Sequence, residues 1–425
     1  MYLRHPRVFA ATALAFIGLL TISLALVPIA RAQPSVTATI IVGKAPYGIA
    51  YDPAKAEVFA VSYDADTVSV ISDKNNQVVA TINVGDSPAD IAYDSARGEM
   101  FVSNTASSSV SVISDSSNSV VATISVGTDP RGIAYDPALG EVFVSTSTSS
   151  TSGFVYEISD TSNAVVGTIS LPGAATGIAY DSGKGELFVS TGETSVSVIS
   201  ISAGAIVASV AVPGLPRGIT YDPDNGDLYV SNYFTSADSV SVISDSSNSV
   251  VATVPVGPWP FYSTYDSASQ EVYVGDSDSH MVSVIAASNN TVVDTITAGE
   301  YPTAAAYDSA AGEVFVTNFG INTVSVISGA GTSTTVPTTS STTTVTTSTV
   351  SSSTTPPSSS TVSTTPTTAT SSSASQVSAT TTTSSTTSTT TSSIPEFPYG
   401  IMSATVVVAV VASYYLARRR WPAPS

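Results

Sequence analysis

The chain has 425 residues and a formal net charge of -19, from 13 Lys and Arg against 32 Asp and Glu. Residues 35 to 330 hold 7 of these bases and 31 of these acids, and such an acidic surface excludes nucleic-acid binding. The absence of Cys excludes disulfide scaffolds, Cys-ligated zinc, iron–sulfur clusters and thiol nucleophiles.

The first 32 residues have the pattern of an export signal. Arg4 and Arg7 precede an uncharged apolar stretch, and Ala30-Arg31-Ala32 offers small residues for cleavage. An uncleaved signal anchor is the alternative, because the apolar stretch is long. We predict a signal peptide over residues 1–32 that is removed.

Residues 33–330 contain a repeat whose most regular part is a Tyr-Asp pair. Its tyrosines are Tyr51, Tyr93, Tyr135, Tyr180, Tyr221, Tyr265 and Tyr307, spaced by 42, 42, 45, 41, 44 and 42 residues. Each copy holds four short β-rich runs separated by turn residues, without helical periodicity. Four strands in a unit of this length predict an all-β, seven-bladed β-propeller of four-stranded blades.

The two ends of the repeat predict how the ring closes. The outermost run of the unit occurs seven times, and its first copy, residues 36–42, precedes the first Tyr-Asp pair. The seventh unit stops at Ser328 and lacks this run. We therefore predict that the N-terminal strand completes the last blade. An open solenoid is the alternative, but it needs polar caps at its ends.

The repeat resembles the YVTN family of β-propeller repeats. The nearest match is VTNFGINTVSVI at residues 316–327, supported by VSNY at residues 230–233, whereas most blades have Val-Ser in place of Val-Thr-Asn. The resemblance covers residues 36–328. It implies a propeller of secreted or surface proteins, often from archaeal envelopes and surface layers, with adhesive or structural roles.

One face of the predicted propeller collects aromatic and Arg side chains, in the loops that lead into the innermost strands. The candidate ligand-binding residues are Tyr47, Arg131, Arg217, Tyr233, Phe234, Trp259, Phe261 and Tyr262. Such side chains dominate binding hot spots, and aromatic faces stack on sugar rings. The alternative is that they fill the channel mouth and pack the loops.

Acidic residues offer two places for a metal ion. The Asp of every Tyr-Asp pair lies toward the opposite face, where a ring of carboxylates could attract Ca²⁺. Recurrence in every blade favours a turn-closing role for these residues instead. Asp276, Asp278 and His280 are further candidates for a cation site, but a solvated polar loop is the favoured interpretation of these residues. With no other His in the repeat, a site built on several imidazoles is excluded.

Two features predict glycosylation. Asn289 opens the sequon Asn289-Asn290-Thr291, in a predicted turn. In residues 332–393, 49 of 62 residues are Ser or Thr and none is charged, so the segment cannot fold around a core. This composition is typical of an O-glycosylated stalk, which we place at residues 331–393; an unglycosylated linker is the alternative.

Residues 394–425 predict a membrane anchor. The 21 residues 397–417 are uncharged, and at ~1.5 Å per residue they span a bilayer core of ~30 Å. The basic triplet Arg418-Arg419-Arg420 then places the C-terminus in the cytoplasm. The segment also resembles the PEF-type sorting tails of archaeal surface proteins, which implies either a retained anchor or a processed tail.

The predicted architecture is a propeller held outside the cell by a disordered stalk and one C-terminal transmembrane helix. No Ser-His-acid, phosphate-loop or dinucleotide pattern appears in a supporting context. A non-enzymatic adhesive or envelope-structural role is therefore favoured, with a surface protein or glycan as partner and no cofactor. The alternative is a lactonase-like hydrolase or lyase that uses carboxylates and a divalent cation; a redox-cofactor propeller is the third.

Overall fold

The computed structural model describes residues 33–328, except residues 193 and 234–237. The predicted signal peptide, stalk and C-terminal anchor lie outside these residues. The described part forms 28 β-strands in seven four-stranded antiparallel sheets, and one short 3-10 helix, Ser277–Ser279, in the predicted polar loop. Among the described residues, no helix has the length and hydropathy needed to cross a membrane.

The strands follow one another from the innermost to the outermost position within each blade. Blades 1 to 3 consist of β2 Pro46–Asp52, β3 Glu57–Ser62, β4 Thr67–Ser72, β5 Gln77–Asn83; β6 Pro88–Asp94, β7 Glu99–Asn104, β8 Ser109–Ser114, β9 Ser119–Ser125; β10 Pro130–Asp136, β11 Glu141–Ser149, β12 Ser152–Ser159, β13 Ala164–Leu171. Blades 4 and 5 consist of β14 Ala175–Asp181, β15 Glu186–Thr191, β16 Ser195–Ser200, β17 Ala205–Ala211; β18 Leu215–Asp222, β19 Asp227–Tyr233, β20 Ser239–Ser244, β21 Ser249–Pro255. Blades 6 and 7 consist of β22 Pro260–Asp266, β23 Glu271–Asp276, β24 Met281–Ala286, β25 Thr291–Thr297; β26 Pro302–Asp308, β27 Glu313–Asn318, β28 Thr323–Ser328, β1 Ser35–Ile41.

The N-terminal strand closes the ring, as predicted. Strand β1 pairs antiparallel with β28, from Ser35 opposite Ser328 to Ile41 opposite Thr323. The seventh sheet therefore has the order β1-β28-β27-β26 and joins the two ends of the repeat. The sequence-based predictions of seven four-stranded blades and of this closure are both confirmed.

One aromatic side chain from the second strand of each blade packs between neighbouring blades. These residues are Phe59, Phe101, Phe143, Phe188, Tyr229, Tyr273 and Phe315, all fully buried. Phe101, for example, packs with Val110 and Val112 of its own blade and with Ile133 and Val142 of the next. Burying a Phe side chain contributes roughly 1.5–3 kcal/mol, so the repeat supplies this stabilisation around the whole ring.

The Asp of every Tyr-Asp pair closes its own turn. In blade 1, Oδ1 of Asp52 accepts hydrogen bonds from the backbone N–H groups of Ala54 at 2.8 Å and Lys55 at 3.2 Å. The same Asx turn recurs at Asp94, Asp136, Asp181, Asp222, Asp266 and Asp308. These hydrogen bonds show the turn-closing role that the sequence favours for the repeated Asp.

The Tyr of each pair lies beside the Asp of the preceding blade. Burial, followed by the interaction with Asp136, raises the pKa of Tyr180 to about 12. At the closure, burial and then Asp308 of blade 7 raise the pKa of Tyr51 of blade 1. The pairs thus link consecutive blades at the C-terminal ends of the inner strands.

Hydroxyl groups link the blades near the other end of the inner strands. Ser145 Oγ donates a hydrogen bond to the carbonyl oxygen of Thr176 in the next blade at 2.6 Å. Equivalent bonds run from Ser103 to Arg131 (2.5 Å), from Ser190 to Arg217 (2.8 Å) and from Thr317 to Tyr47 (2.7 Å). Because either Ser or Thr can make this bond, the frequent Val-Ser in place of Val-Thr leaves the architecture intact.

All seven outermost strands contain a β-bulge at the same position. In blade 1, Ile71 pairs with Val78 and Val70 with Ala80, so Val79 is the extra residue and its side chain is 52% exposed. The other bulge residues are Thr37, Val121, Val166, Val207, Val251 and Val293. Bulges disturb the edge ladder and discourage pairing with strands of other molecules.

Candidate functional site

Most of the candidate ligand residues meet at the face where the inner strands begin, which we call the entry face. Tyr47, Arg131 and Phe261 are each the second residue of an inner strand, and Arg217 is the third residue of β18. Tyr233 ends β19, and Trp259 directly precedes β22. Phe234 lies outside the described residues.

Five aromatic residues form one cluster at this face: Tyr47, Tyr233, Trp259, Phe261 and Tyr262. The ring centroid of Phe261 lies 5.6 Å from that of Tyr47, 5.6 Å from that of Tyr233 and 5.4 Å from that of Tyr262. Trp259 joins through Tyr233, with 5.7 Å between centroids. Tyr47 and Phe261 are buried, whereas the other three are half-buried. The cluster therefore has a packed centre, as the channel-filling alternative predicts, and a partly accessible rim.

Two guanidinium groups accompany the aromatic cluster. Cζ of Arg217 lies 5.0 Å from the ring centroid of Tyr233 and 6.0 Å from that of Phe261, which is within cation–π range. Nε of Arg131 forms an ion pair with Oδ2 of Asp129 at 2.9 Å. Burial, and then the positive charge of Arg131, lower the pKa of Arg217 to about 10. The two bases are thus close enough for their charges to interact.

Sequence reasoning missed one residue of the entry face, Asp90 in β6. Its Oδ1 accepts the N–H of Ile91 at 2.9 Å, and its Oδ2 accepts the N–H of Ile133 in the next blade at 3.2 Å. Burial raises the pKa of Asp90 to about 7, although these two N–H groups lower it. The negative charge of Asp90 also adds to burial in raising the pKa of Tyr262.

The position of Asp90 in the repeat is the feature of the sequence that could have identified it as a site residue. Three residues before the Tyr of each pair, the blades have Gly48, Asp90, Gly132, Gly177, Gly218, Tyr262 and Ala304. Glycine fits because the inner strands approach closely here: a Cβ on Gly132 would lie 2.5 Å from the carbonyl oxygen of Thr176. In blade 2 the ladder between the first two strands includes one more pair, in which Asp90 lies opposite Ser103. Asp90 and Tyr262 are the two large departures from the repeat at this position, and both belong to the entry face.

Trp259 is held in an unfavourable backbone conformation. Its φ is 58°, and the corresponding turn residues Ala45, Ser87, Asp129 and Tyr301 also have positive φ between 53° and 54°. A bulky side chain in the left-handed region costs roughly 1–2 kcal/mol. A hydrogen bond from the Ser277 N–H to the Trp259 carbonyl oxygen at 3.0 Å joins this turn to the end of β23.

The candidates for a cation site do not converge. Asp276 is buried and accepts a hydrogen bond from Ser283, whereas Asp278 is exposed. Nδ1 of His280 accepts the N–H of Tyr301 at 3.3 Å, and its ring packs edge-on against Tyr301. Within the described residues, no group of three or more acidic or His side chains is arranged to hold a metal ion.

Asn289 lies at the surface, in the turn between β24 and β25. Its side chain is exposed, and its Oδ1 accepts a hydrogen bond from the Thr291 hydroxyl at 2.8 Å. The sequon therefore has the solvent exposure that an attached glycan requires.

Comparison with known proteins identifies the fold alone. No family model matches the chain, and none of the curated proteins matches it. Among solved structures, Kuenenia stuttgartiensis hydrazine synthase is similar with a TM-score of 0.61 at 18% sequence identity, over 68% of this chain and 96% of that chain. Since one fold hosts many functions, the function depends on the residues of the entry face.

Proposed function

We propose that this chain is a non-enzymatic binding protein of the cell surface, related to the YVTN repeat proteins, whose entry face contacts an envelope glycan or protein. The observation that carries the proposal is the partly accessible rim of the aromatic cluster, with Arg217 placed over Tyr233 at 5.0 Å. Aromatic and Arg side chains fixed by their neighbours lose little entropy on binding and dominate binding energy.

The framework supports such a role because it holds the binding residues in place. The carbonyl groups of Arg131 and Arg217 accept hydrogen bonds from Ser103 and Ser190 of the preceding blades. Phe261 packs beneath the rim and is 1% exposed. A site whose side chains are fixed before binding meets a basic requirement of recognition.

The location outside the cell belongs to the same proposal. The export signal, the Ser/Thr-rich stalk and the apolar segment followed by three Arg supply presentation at the membrane surface. In this arrangement the N-terminus lies outside and the C-terminus in the cytoplasm. The binding face then meets partners beyond the membrane.

The test uses the propeller, residues 33–330, labelled with a fluorophore and titrated onto envelope isolated from the cells that make the protein. We expect saturable binding that weakens at least tenfold in Arg217→Ala and in Trp259→Ala. Lys55→Ala removes an exposed base from the opposite end of the inner strands and should leave binding unchanged. Absence of saturable binding, or equal loss in all three variants, would overturn the proposal.

One observation favours a second candidate function, a lactonase-like hydrolase or lyase. Asp90 is a carboxyl group with its pKa raised to about 7 by burial, and it lies at the same face as Tyr262 and Arg131. Perturbed carboxyl groups in a concave site are candidates for general acid–base work. Turnover of a lactone panel that disappears in Asp90→Asn would establish this activity, whereas absence of turnover with and without Ca²⁺ would remove it.

A further inference from the structure

Blade 6 differs from its neighbours at one pair of positions, where β23 ends and β24 begins. In blades 2, 5 and 7 the corresponding residue of the second strand is Asn, at the last position of β7 and β27 and the last but one of β19, and its amide donates to hydroxyl groups on the next strand. These bonds are Asn104 to Ser109 and Ser111, Asn232 to Ser239 and Ser241, and Asn318 to Thr323 and Ser325. In blade 6 the Asn is replaced by Asp276 and the first hydroxyl by Met281.

Asp276 has a buried side-chain oxygen without a hydrogen-bond partner, as Asn104 and Asn232 do at the same position, but in Asp276 this oxygen belongs to a carboxyl group. Oδ2 of Asp276 accepts a hydrogen bond from the Ser283 hydroxyl at 2.6 Å. Asp276 is fully buried, with 0% of its surface exposed, and its Oδ1 has no hydrogen-bond partner. A buried carboxylate oxygen without a donor costs several kcal/mol, so this arrangement calls for a ligand that donates.

Asp276 lines a cavity of about 340 Å³. The cavity lies between Gly257, which follows the outermost strand of blade 5, and Met281, Ser283 and Val292 of blade 6. Thr295 at its edge is exposed, so the cavity reaches solvent. Hydroxyl groups of Ser279, Ser283 and Thr295 and the apolar side chains of Met281 and Val292 give it a mixed lining.

The charges around the cavity are negative. Asp238, which precedes β20, also has a buried oxygen without a hydrogen-bond partner, and its charge acts on Asp276. Among the described residues, neither Asp276 nor Asp238 forms an ion pair with a base. Burial is the main cause that raises the pKa of Asp276 to about 7. A positive charge in the cavity would offset this burial.

We propose that the cavity of blade 6 binds an amino sugar, with the ammonium group donating to Asp276. A metal ion fits less well, because no three acidic or His side chains converge in the described part of the chain and the cavity is far larger than one ion. The hydroxyl groups of Ser279 and Thr295 match sugar hydroxyls, and Met281 and Val292 offer apolar contact to the ring. This site is separate from the aromatic cluster of the entry face.

The test is a ligand-observed NMR titration of the purified full-length chain with glucosamine and, as the neutral match, N-acetylglucosamine. We expect saturable binding of glucosamine and at least tenfold weaker binding of the acetylated sugar, because acetylation removes the charge-assisted hydrogen bond. A third probe, Nα-acetyl-lysine amide, carries an ammonium group without the sugar ring and should bind at least tenfold more weakly than glucosamine.

Two variants complete the test. Asp276→Asn installs the residue that blades 2, 5 and 7 accommodate at this position and removes a buried charge, so its melting temperature should be at least as high as that of the wild type, while glucosamine affinity should fall at least tenfold. Asp278→Asn removes the same charge from an exposed position two residues away and should bind as the wild type does. Equal binding of the neutral sugar or of the lysine probe, no binding of glucosamine, or undiminished binding by Asp276→Asn would each overturn the proposal.

Discussion

The ring of Tyr47 stands at 90° to the ring of Phe261, with 5.6 Å between their centroids. Tyr47 belongs to blade 1 and Phe261 to blade 6, so the contact joins two blades that are not neighbours in the ring. Tyr233 of blade 5 makes a second edge contact with Phe261, also at 5.6 Å. Phe261 is therefore the centre around which the entry face is packed.

Replacing Phe261 should destabilise the fold even in the absence of a ligand. We expect Phe261→Ala to lower the free energy of unfolding by roughly 3–5 kcal/mol, because it empties a fully packed site. Urea denaturation of the propeller measures this change. Phe261→Leu keeps most of the apolar volume and should cost much less. A loss below about 1 kcal/mol in the Ala variant would show that the centre of the cluster does not support the fold.

Trp259 allows the backbone cost to be separated from the contribution of the ring. Trp259→Gly and Trp259→Ala both remove the indole, but only Gly adopts the φ of 58° without strain. The Gly variant should therefore be more stable than the Ala variant by about 1 kcal/mol. Both should lose envelope binding to the same degree. A less stable Gly variant would contradict the strain at this turn.

Asp90 should make stability depend on pH between its unfolded and folded pKa values. Its pKa rises from 3.8 in the unfolded chain to about 7 in the fold, so the stabilising contribution is complete below pH 4 and is lost as pH rises through 7. Asp90→Asn should not show this loss. The difference in unfolding free energy between variant and wild type should therefore change by on the order of 1–4 kcal/mol from pH 4 to pH 8. A difference that stays constant with pH would contradict the burial of this carboxyl group.

The hydroxyl groups between blades offer a matched pair of variants. Ser145 Oγ donates to the carbonyl oxygen of Thr176 at 2.6 Å, whereas the buried hydroxyl of Ser231 has no hydrogen-bond partner. We expect Ser145→Ala to lower the unfolding free energy by about 1 kcal/mol or more, because an acceptor loses its donor. Ser231→Ala should be neutral or stabilising. Equal effects in thermal unfolding would show that the bond between blades contributes nothing.

At alkaline pH the Tyr-Asp ring should weaken the fold. The pKa of Tyr180 rises from 10.0 to about 12, through burial and then Asp136, so its contribution is complete below pH 10 and is lost as pH rises through 12. Tyr180→Phe cannot ionise, and its melting temperature should therefore fall less than that of the wild type between pH 9 and 11. Parallel decreases in the two proteins would contradict the shifted pKa.

The repeat made the fold predictable, because each Tyr-Asp pair marks the same point of a blade and the displaced run at residues 36–42 leaves one strand to close the ring. The site was predictable only as a list of residues at one face. Whether Tyr47 and Phe261 are buried depends on distances across the ring, which the order of residues along the chain does not contain. Asp90 was not predicted because it stands out only by comparison with blades 1, 3, 4 and 5, which have at the same position a glycine that permits close approach of the strands.

The closure of the ring also determines how the propeller responds to pulling. Ser328 ends β28, which has β27 on one side and β1 on the other. Tension that reaches the propeller along the chain after Ser328 therefore acts on a strand held by two hydrogen-bonded ladders. Ser328 lies opposite both Ser35 of β1 and Glu313 of β27, so the tension acts on the two ladders from the same end. Mechanical strength in this propeller thus depends on β1, the strand farthest in sequence from the point where the force is applied.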